Sequence, residues 1–212
     1  NQAGNAGINT SAITSHLNQV KESENQTPFN QALLIKIDDL AFSVSDAQQA
    51  KVEQLMQFVD RQINAQKLFM QPAMLNWLAD LQQALSQTEL VGKTNGLSDI
   101  VRTVNRELHS GQAQDFAIPQ SSDGVAQTLL QYQSSHRPQD LWHFVSQDFQ
   151  QSLLWLQMTS GDNQHTSAVV EWVDQYIAQH PAPMPVEIQW AGKSYLNVVW
   201  QNAMVNGMLN SL

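Results

Sequence analysis

Apolar residues recur at three- and four-residue spacing along much of this chain, the period that places them on one face of an α-helix. Val52, Leu55, Met56, Val59 and Ile63 predict a helix over 45–66, capped by Ser45. Pro72 suits the first turn of a second helix, with Met74, Leu75, Leu78, Leu81 and Leu85 as its buried stripe. Ser98 begins another, with Ile100, Val101, Val104 and Leu108 inward. Ser121 or Ser122 starts the next, carrying Val125, Leu129 and Tyr132, and Pro138 opens a short one with Leu141, Phe144 and Val145. Thr166 or Ser167 caps a helix with Val169, Val170, Val173 and Ile177 inward, and Pro181, Pro183 and Pro185 stop it. A last amphipathic helix carries Leu196, Val199, Trp200, Ala203 and Leu209.

Shorter runs between these stripes predict strands. Ala32–Ile37 is an apolar run before Asp38 and Asp39, and Leu90–Val91 beside Gly92 is a strand or strand end. Ser152–Met158 is dense in large apolar residues and reads as a strand covered on both faces. Val186, Ile188 and Trp190 alternate with Glu187 and Gln189, as in a half-buried strand. The order is an α+β pattern with more helix than strand. Two βαβ units flanking a helical block predict a ferredoxin-like split βαβ sheet with a large helical insertion. The boundaries are a polar lead-in over 1–30, a first βαβ unit with an extra helix over 31–96, the helical insertion over 97–146, a second βαβ unit over 147–192, and a C-terminal helix over 193–212.

Composition narrows the function classes. A formal net charge of -9 with 10 scattered basic residues disfavours nucleic acid, which is held by clustered Lys and Arg, and an anionic membrane surface for the same reason. With no cysteine there is no disulfide, thiolate metal site or Cys nucleophile. No stretch approaches the ~20 apolar residues of a membrane span, and no basic region followed by an apolar one, as a signal peptide would show, is read at the start of this sequence.

Candidate chemistry is sparse. His16, His109, His136, His143, His165 and His180 show no pair at the helical spacing of a metal site. Asp140 and His143 lie three apart with serines nearby, which reads as a surface pair before a triad. Asp38 and Asp39 read as a strand-end turn, and Gly92 and Gly96 are too isolated for a phosphate loop. No catalytic, cofactor-binding or metal residue is expected, and no cofactor. The six tryptophans and seven methionines read either as core or as the lining of a path for greasy molecules. Trp77 and Trp172 fall beside the main stripes of their helices, so these two are the candidate substrate-path residues.

One set of segments resembles a known family. It comprises Val91-Gly92-Lys93-Thr94, Leu97-Ser98-Asp99-Ile100-Val101 and Val104-Asn105-Arg106-Glu107-Leu108-His109. Ile118-Pro119, Val125-Ala126-Gln127-Thr128-Leu129-Leu130-Gln131-Tyr132 and Asp140-Leu141 follow. Val145-Ser146-Gln147-Asp148-Phe149, Ala191-Gly192-Lys193 and Asn202-Ala203-Met204-Val205-Asn206-Gly207 complete it, closing on Ser211-Leu212. In order and spacing, over about residues 68–212, these resemble an extracytoplasmic loop domain of the resistance-nodulation-division exporters, hydrophobe/amphiphile branch. The resemblance is closer to the second such loop than to the first, and the helix over 45–66 fits it less well.

The resemblance implies a ferredoxin-like porter domain on the extracytoplasmic (periplasmic) face of a bacterial inner membrane, without enzymatic activity. Its implied partners are the membrane helices and other loop domain of the same transporter, with a lipid or other hydrophobic or amphiphilic substrate. The family's proton-coupling carboxylates lie in membrane helices, so none is carried over to this chain. Membrane-spanning helices are then expected before residue 1 and after Leu212. An extracytoplasmic sensor or ligand-binding module is the alternative, and a hydrolase would require a convergent polar pocket.

Overall fold

The computed structural model describes residues 35–37 and 46–209. The chain divides into two compact units, Asn1–Lys67 and Leu68–Leu212. The polar lead-in over 1–30, Ser45, His16, Asp38 and Asp39 lie outside the described residues.

In the first unit, helix α1 spans Asp46–Gln66. Its Val52 and Val59 pack with Ile37, and Leu55, Met56 and Ile63 flank them. The described part of the expected first strand, Ile35–Ile37, is helical instead. A six-residue apolar run is too short for periodicity to separate strand from helix.

The second unit is built around helix α2, Pro72–Ser86, with Pro72 in its first turn. A 3-10 turn, Leu68–Met70, leads into it. All five residues of its expected stripe are buried, as are Ala79 and Gln82. The N-terminal half of the stripe, Met74, Leu75 and Leu78, joins one apolar cluster with Leu97, Val101, Val125, Leu129, Leu141, Val145 and Phe149. The C-terminal half, Leu81 and Leu85, joins a second with Val91, Val169 and Val173. One helix thus ties two cores together.

Strand β1, Val91–Asn95, follows, then helix α3, Leu97–Leu108. Val101 is fully buried in α3, but Leu108 is exposed rather than inward. Helix α4, Ser122–Gln133, begins at Ser121, whose hydroxyl accepts from the Gly124 amide at 3.1 Å. A Cβ on Gly124 would lie 2.9 Å from Pro119 Cβ, so this turn admits no larger residue without movement. Pro138–His143 is a 3-10 helix that buries Leu141. Beyond it Phe149 takes a left-handed φ of 57° while packing in the first core.

Strand β2 is Trp155–Met158, shorter than the expected 152–158 and covered on one side only. It runs antiparallel to β1, with Val91 opposite Met158 and Asn95 opposite Trp155. Helix α5 is Asn163–Gln179 and helix α6 is Lys193–Leu209. The cap of α5 is Asp162, upstream of the expected Thr166 or Ser167, and its carboxylate accepts from the His165 amide at 2.8 Å.

The class is α+β, dominated by helix, with one small antiparallel sheet. Among the described residues no third strand joins β1 and β2. Val186–Trp190, read as a strand from its alternation, has no ladder partner among the described residues. Periodicity reports which side chains face inward and is silent on whether a neighbouring edge is within pairing distance. Helix α6 also turns the other way from expectation. Leu196, Val199 and Trp200 are exposed, and among its described side chains Val198 is the buried one. Among the described residues, no helix is long and apolar enough to cross a membrane.

Candidate functional site

The second unit holds a half-open cavity of about 450 Å³. Helix α2 contributes Trp77, Leu78, Leu81 and Leu85 to its wall. Helix α5 contributes Val169, Val170, Val173 and Ile177, one face at three- and four-residue spacing. Strand β2 and its approach, Ser152–Leu156 with Met158, form a third wall. The stretch Val186–Tyr195 forms the fourth. Polar groups are few and sit among apolar ones: the Ser152, Thr166, Ser194 and Tyr195 hydroxyls, Glu187, Gln189 and Lys193. The Gln189 amide donates to the Glu187 carboxylate at 3.0 Å, so these two side chains hold each other at the mouth. A space of this size and character suits a small, largely apolar molecule oriented by a few polar contacts.

Outside the lining, three aromatic residues of α5 and its cap stack in succession. Trp172, Tyr176 and His180 stand four residues apart on α5 and its cap, which puts them in one column. Trp172 stacks on Tyr176 with ring centroids 5.3 Å apart, and Tyr176 on His180 at 4.4 Å. The His180 ring Nδ1 donates to the Tyr176 carbonyl at 3.1 Å. The Trp77 indole N–H donates to the His180 carbonyl at 2.8 Å, tying α2 to the end of α5 beside the cavity. Burial holds the Tyr176 phenol above its ordinary pKa, and the Asp80 carboxylate adds to the rise.

No profile of a known family, curated protein or solved structure matches this chain.

The two candidate path residues are therefore separated by geometry alone. Trp77 lines the cavity. Trp172 does not; it packs half-buried on the second core and supports the stack. Trp155 and Trp190, read from the sequence only as core or path lining together with the other tryptophans, also line the cavity, as does Tyr195, which the sequence did not single out. Trp155 is 54% exposed.

The remaining candidates stay apart. His165 Nε2 donates to the Leu90 carbonyl at 2.8 Å and lies 3.2 Å from the Thr159 hydroxyl, so it fastens α5 to the start of β1. His109 Nδ1 donates to the Asn105 carbonyl at 2.8 Å within its own helix end. Asp140 and His143 share the 3-10 helix with no hydrogen bond between them. Among the described residues, no three His, Cys, Asp or Glu side chains converge as a metal site would require.

The residues Thr94, Ser98 and Asp99, prominent in the family resemblance, form a structural network. Gln82 Nε2 donates to Thr94 Oγ1 at 3.1 Å and to Asp99 Oδ2 at 2.5 Å. Ser98 Oγ donates to Gln82 Oε1. Asp99 also accepts from the Gly96 amide at 2.9 Å and from Arg102 Nη2 at 2.8 Å. The network locks the β1–α3 corner onto α2 and lies outside the cavity lining.

Proposed function

We propose that this chain is an extracytoplasmic porter domain of a proton-driven exporter of the resistance-nodulation-division type, carrying part of the path of a lipid or other hydrophobic or amphiphilic molecule. The observation that carries the reading is the apolar cavity of about 450 Å³ with Trp77 in its wall. Burying apolar surface contributes roughly 25 cal/mol per Å², so a greasy molecule leaving a bilayer gains from such a covered stop. The family resemblance over residues 68–212 coincides with the second compact unit, which supports the same reading. A periplasmic location, the transporter's membrane helices and other loop domain as partners, a passive non-enzymatic role and a ferredoxin-like porter relationship all belong to this proposal.

The alternative is an extracytoplasmic sensor or ligand-binding module. It is favoured by one feature, that every lining residue belongs to a single unit rather than to two halves of a cleft. Flanking coding sequence distinguishes the two. The exporter reading expects several membrane-spanning segments on both sides, and one span followed by a signalling domain would replace it with the sensor.

Binding is tested on the purified chain with the apolar fluorophore N-phenylnaphthylamine and a monomeric alkyl maltoside as competitor. Saturable fluorescence that the maltoside displaces is expected. Trp77→Glu should weaken it about tenfold or more, because a carboxylate in an apolar wall carries a desolvation cost of several kcal/mol. Trp172→Glu, off the lining, should change it less. Absence of saturable binding to the folded parent refutes the reading.

A further inference from the structure

Two runs of chain outside the helices border the cavity. Ser152, Leu153, Leu154, Trp155 and Leu156 line it in unbroken succession, and so do Val186–Gly192. Successive side chains of an extended chain point to opposite faces. When every residue of such a run borders one space, the edge of the chain, where the backbone groups sit, faces that space.

Both edges lack partners. Strand β2 pairs with β1 alone among the described residues, so its other edge carries no ladder. Among the described residues, no hydrogen bond involves a backbone N–H or C=O of Val186–Ala191. Unpaired backbone beside an open strand edge is a template for pairing.

The segment is also held in the right phase. Ala182, Met184 and Val186 pack against the first core, and Trp190 against the second. Ile188, in the same phase, lines the cavity and is 43% exposed. The stretch is thus anchored at both ends and unsupported in the middle. Pro181, Pro183 and Pro185 stiffen the approach. At the far end Gly192 takes a φ of 117°, where a side chain would be strained. The connection from β2 runs through α5, seventeen residues long, which suffices for a parallel crossover.

We propose that Val186–Trp190 is a strap that closes on the free edge of β2 as a third, parallel strand when the cavity is empty, and that the open arrangement described here is the one that holds an occupant. Closure pairs the idle backbone groups and buries Ile188; an apolar occupant opposes it by covering the cavity wall. Affinity is then scaled by the fraction of open molecules. The inference rests on the proposed binding of apolar molecules at this cavity.

Backbone amide exchange read by NMR on the purified chain tests it. In the empty protein, alternate amides of residues 186–190 should exchange at least about tenfold more slowly than in an unfolded peptide, and saturating N-phenylnaphthylamine should remove that protection. Free-peptide exchange in the empty chain overturns the strap, and so does protection that the bound fluorophore leaves unchanged or increases. Protected amides in a chain that binds no fluorophore would instead uphold closure and sink the binding reading.

Gly192→Ala supplies a second arm, since nothing lies within 4 Å of the added Cβ and only the backbone preference changes. It disfavours the open state and should raise the fluorophore's dissociation constant about tenfold, the empty-state protection remaining. A variant that binds as tightly as the parent overturns the hinge at Gly192.

Discussion

Replacing Gln82 by leucine removes the centre of the network at the β1–α3 corner while keeping the side chain close to its volume. Gln82 is 4% exposed and Ser98 is fully buried. In Gln82→Leu the Ser98 hydroxyl loses its acceptor inside the protein, at a cost of about 1–3 kcal/mol. Asp99 loses one donor but keeps the Gly96 amide and Arg102, and its side chain is 34% exposed, so water limits that loss to about 1 kcal/mol. The half-buried Thr94 hydroxyl turns to solvent at little cost. The added apolar burial returns about 1 kcal/mol. The net destabilisation is about 2 kcal/mol, a fall in melting temperature of roughly 6 °C for a unit of this size. Urea unfolding followed by tryptophan fluorescence reads it cleanly, because all six tryptophans, Trp77 to Trp200, lie in the second unit. Adding Ser98→Ala to Gln82→Leu removes the orphaned hydroxyl and should recover about 1 kcal/mol, although Ser98→Ala alone destabilises the parent. If Gln82→Leu stays within about 0.5 kcal/mol of the parent, or the two substitutions simply add, the network does not hold the corner as argued.

Three further outcomes follow from the geometry. The Ser160 hydroxyl and then the His165 amide hold the Asp162 carboxyl below its ordinary value of 3.8, so its contribution to stability is present above that value and lost as pH falls through the lowered one. Asp162→Asn keeps a capping oxygen without the titration, and the acid limb of stability against pH should become shallower at an almost unchanged neutral-pH midpoint. Gly124→Ala should destabilise by about 1–3 kcal/mol in urea, despite alanine's better helix propensity, because its Cβ meets the rigid Pro119 ring at 2.9 Å. Trp77→Phe leaves the His180 carbonyl without its indole donor and should lower stability by about 1 kcal/mol in the same assay.

The buried faces of α2 and α4 were legible in the sequence because a helix carries its own period. Met74, Leu75, Leu78, Leu81 and Leu85 lie on one side of α2 whatever surrounds them, and Val125 with Leu129 do the same on α4. Pro72, and the choice narrowed to Ser121 or Ser122, marked helix starts through strictly local chemistry. Helix α6 shows where that logic stops. Apolar residues surround it, from Leu196 through Val198 and Trp200 to Met208, so periodicity alone cannot choose a face, and contact with α5 buries Val198. The antiparallel pairing of β1 with β2 joins residues sixty or more positions apart, and nothing local sets that register. The cavity is similarly non-local: Trp77, Leu154, Val169 and Trp190 border one space only after four segments have packed. Trp77 was found from its place beside a helical stripe, whereas Trp155 and Trp190 became lining residues only through tertiary structure. The sequence by itself determined which side chains seek burial. The tertiary structure decided which of them meet and which remain free to meet something else, because those contacts are made between segments and no single segment encodes them.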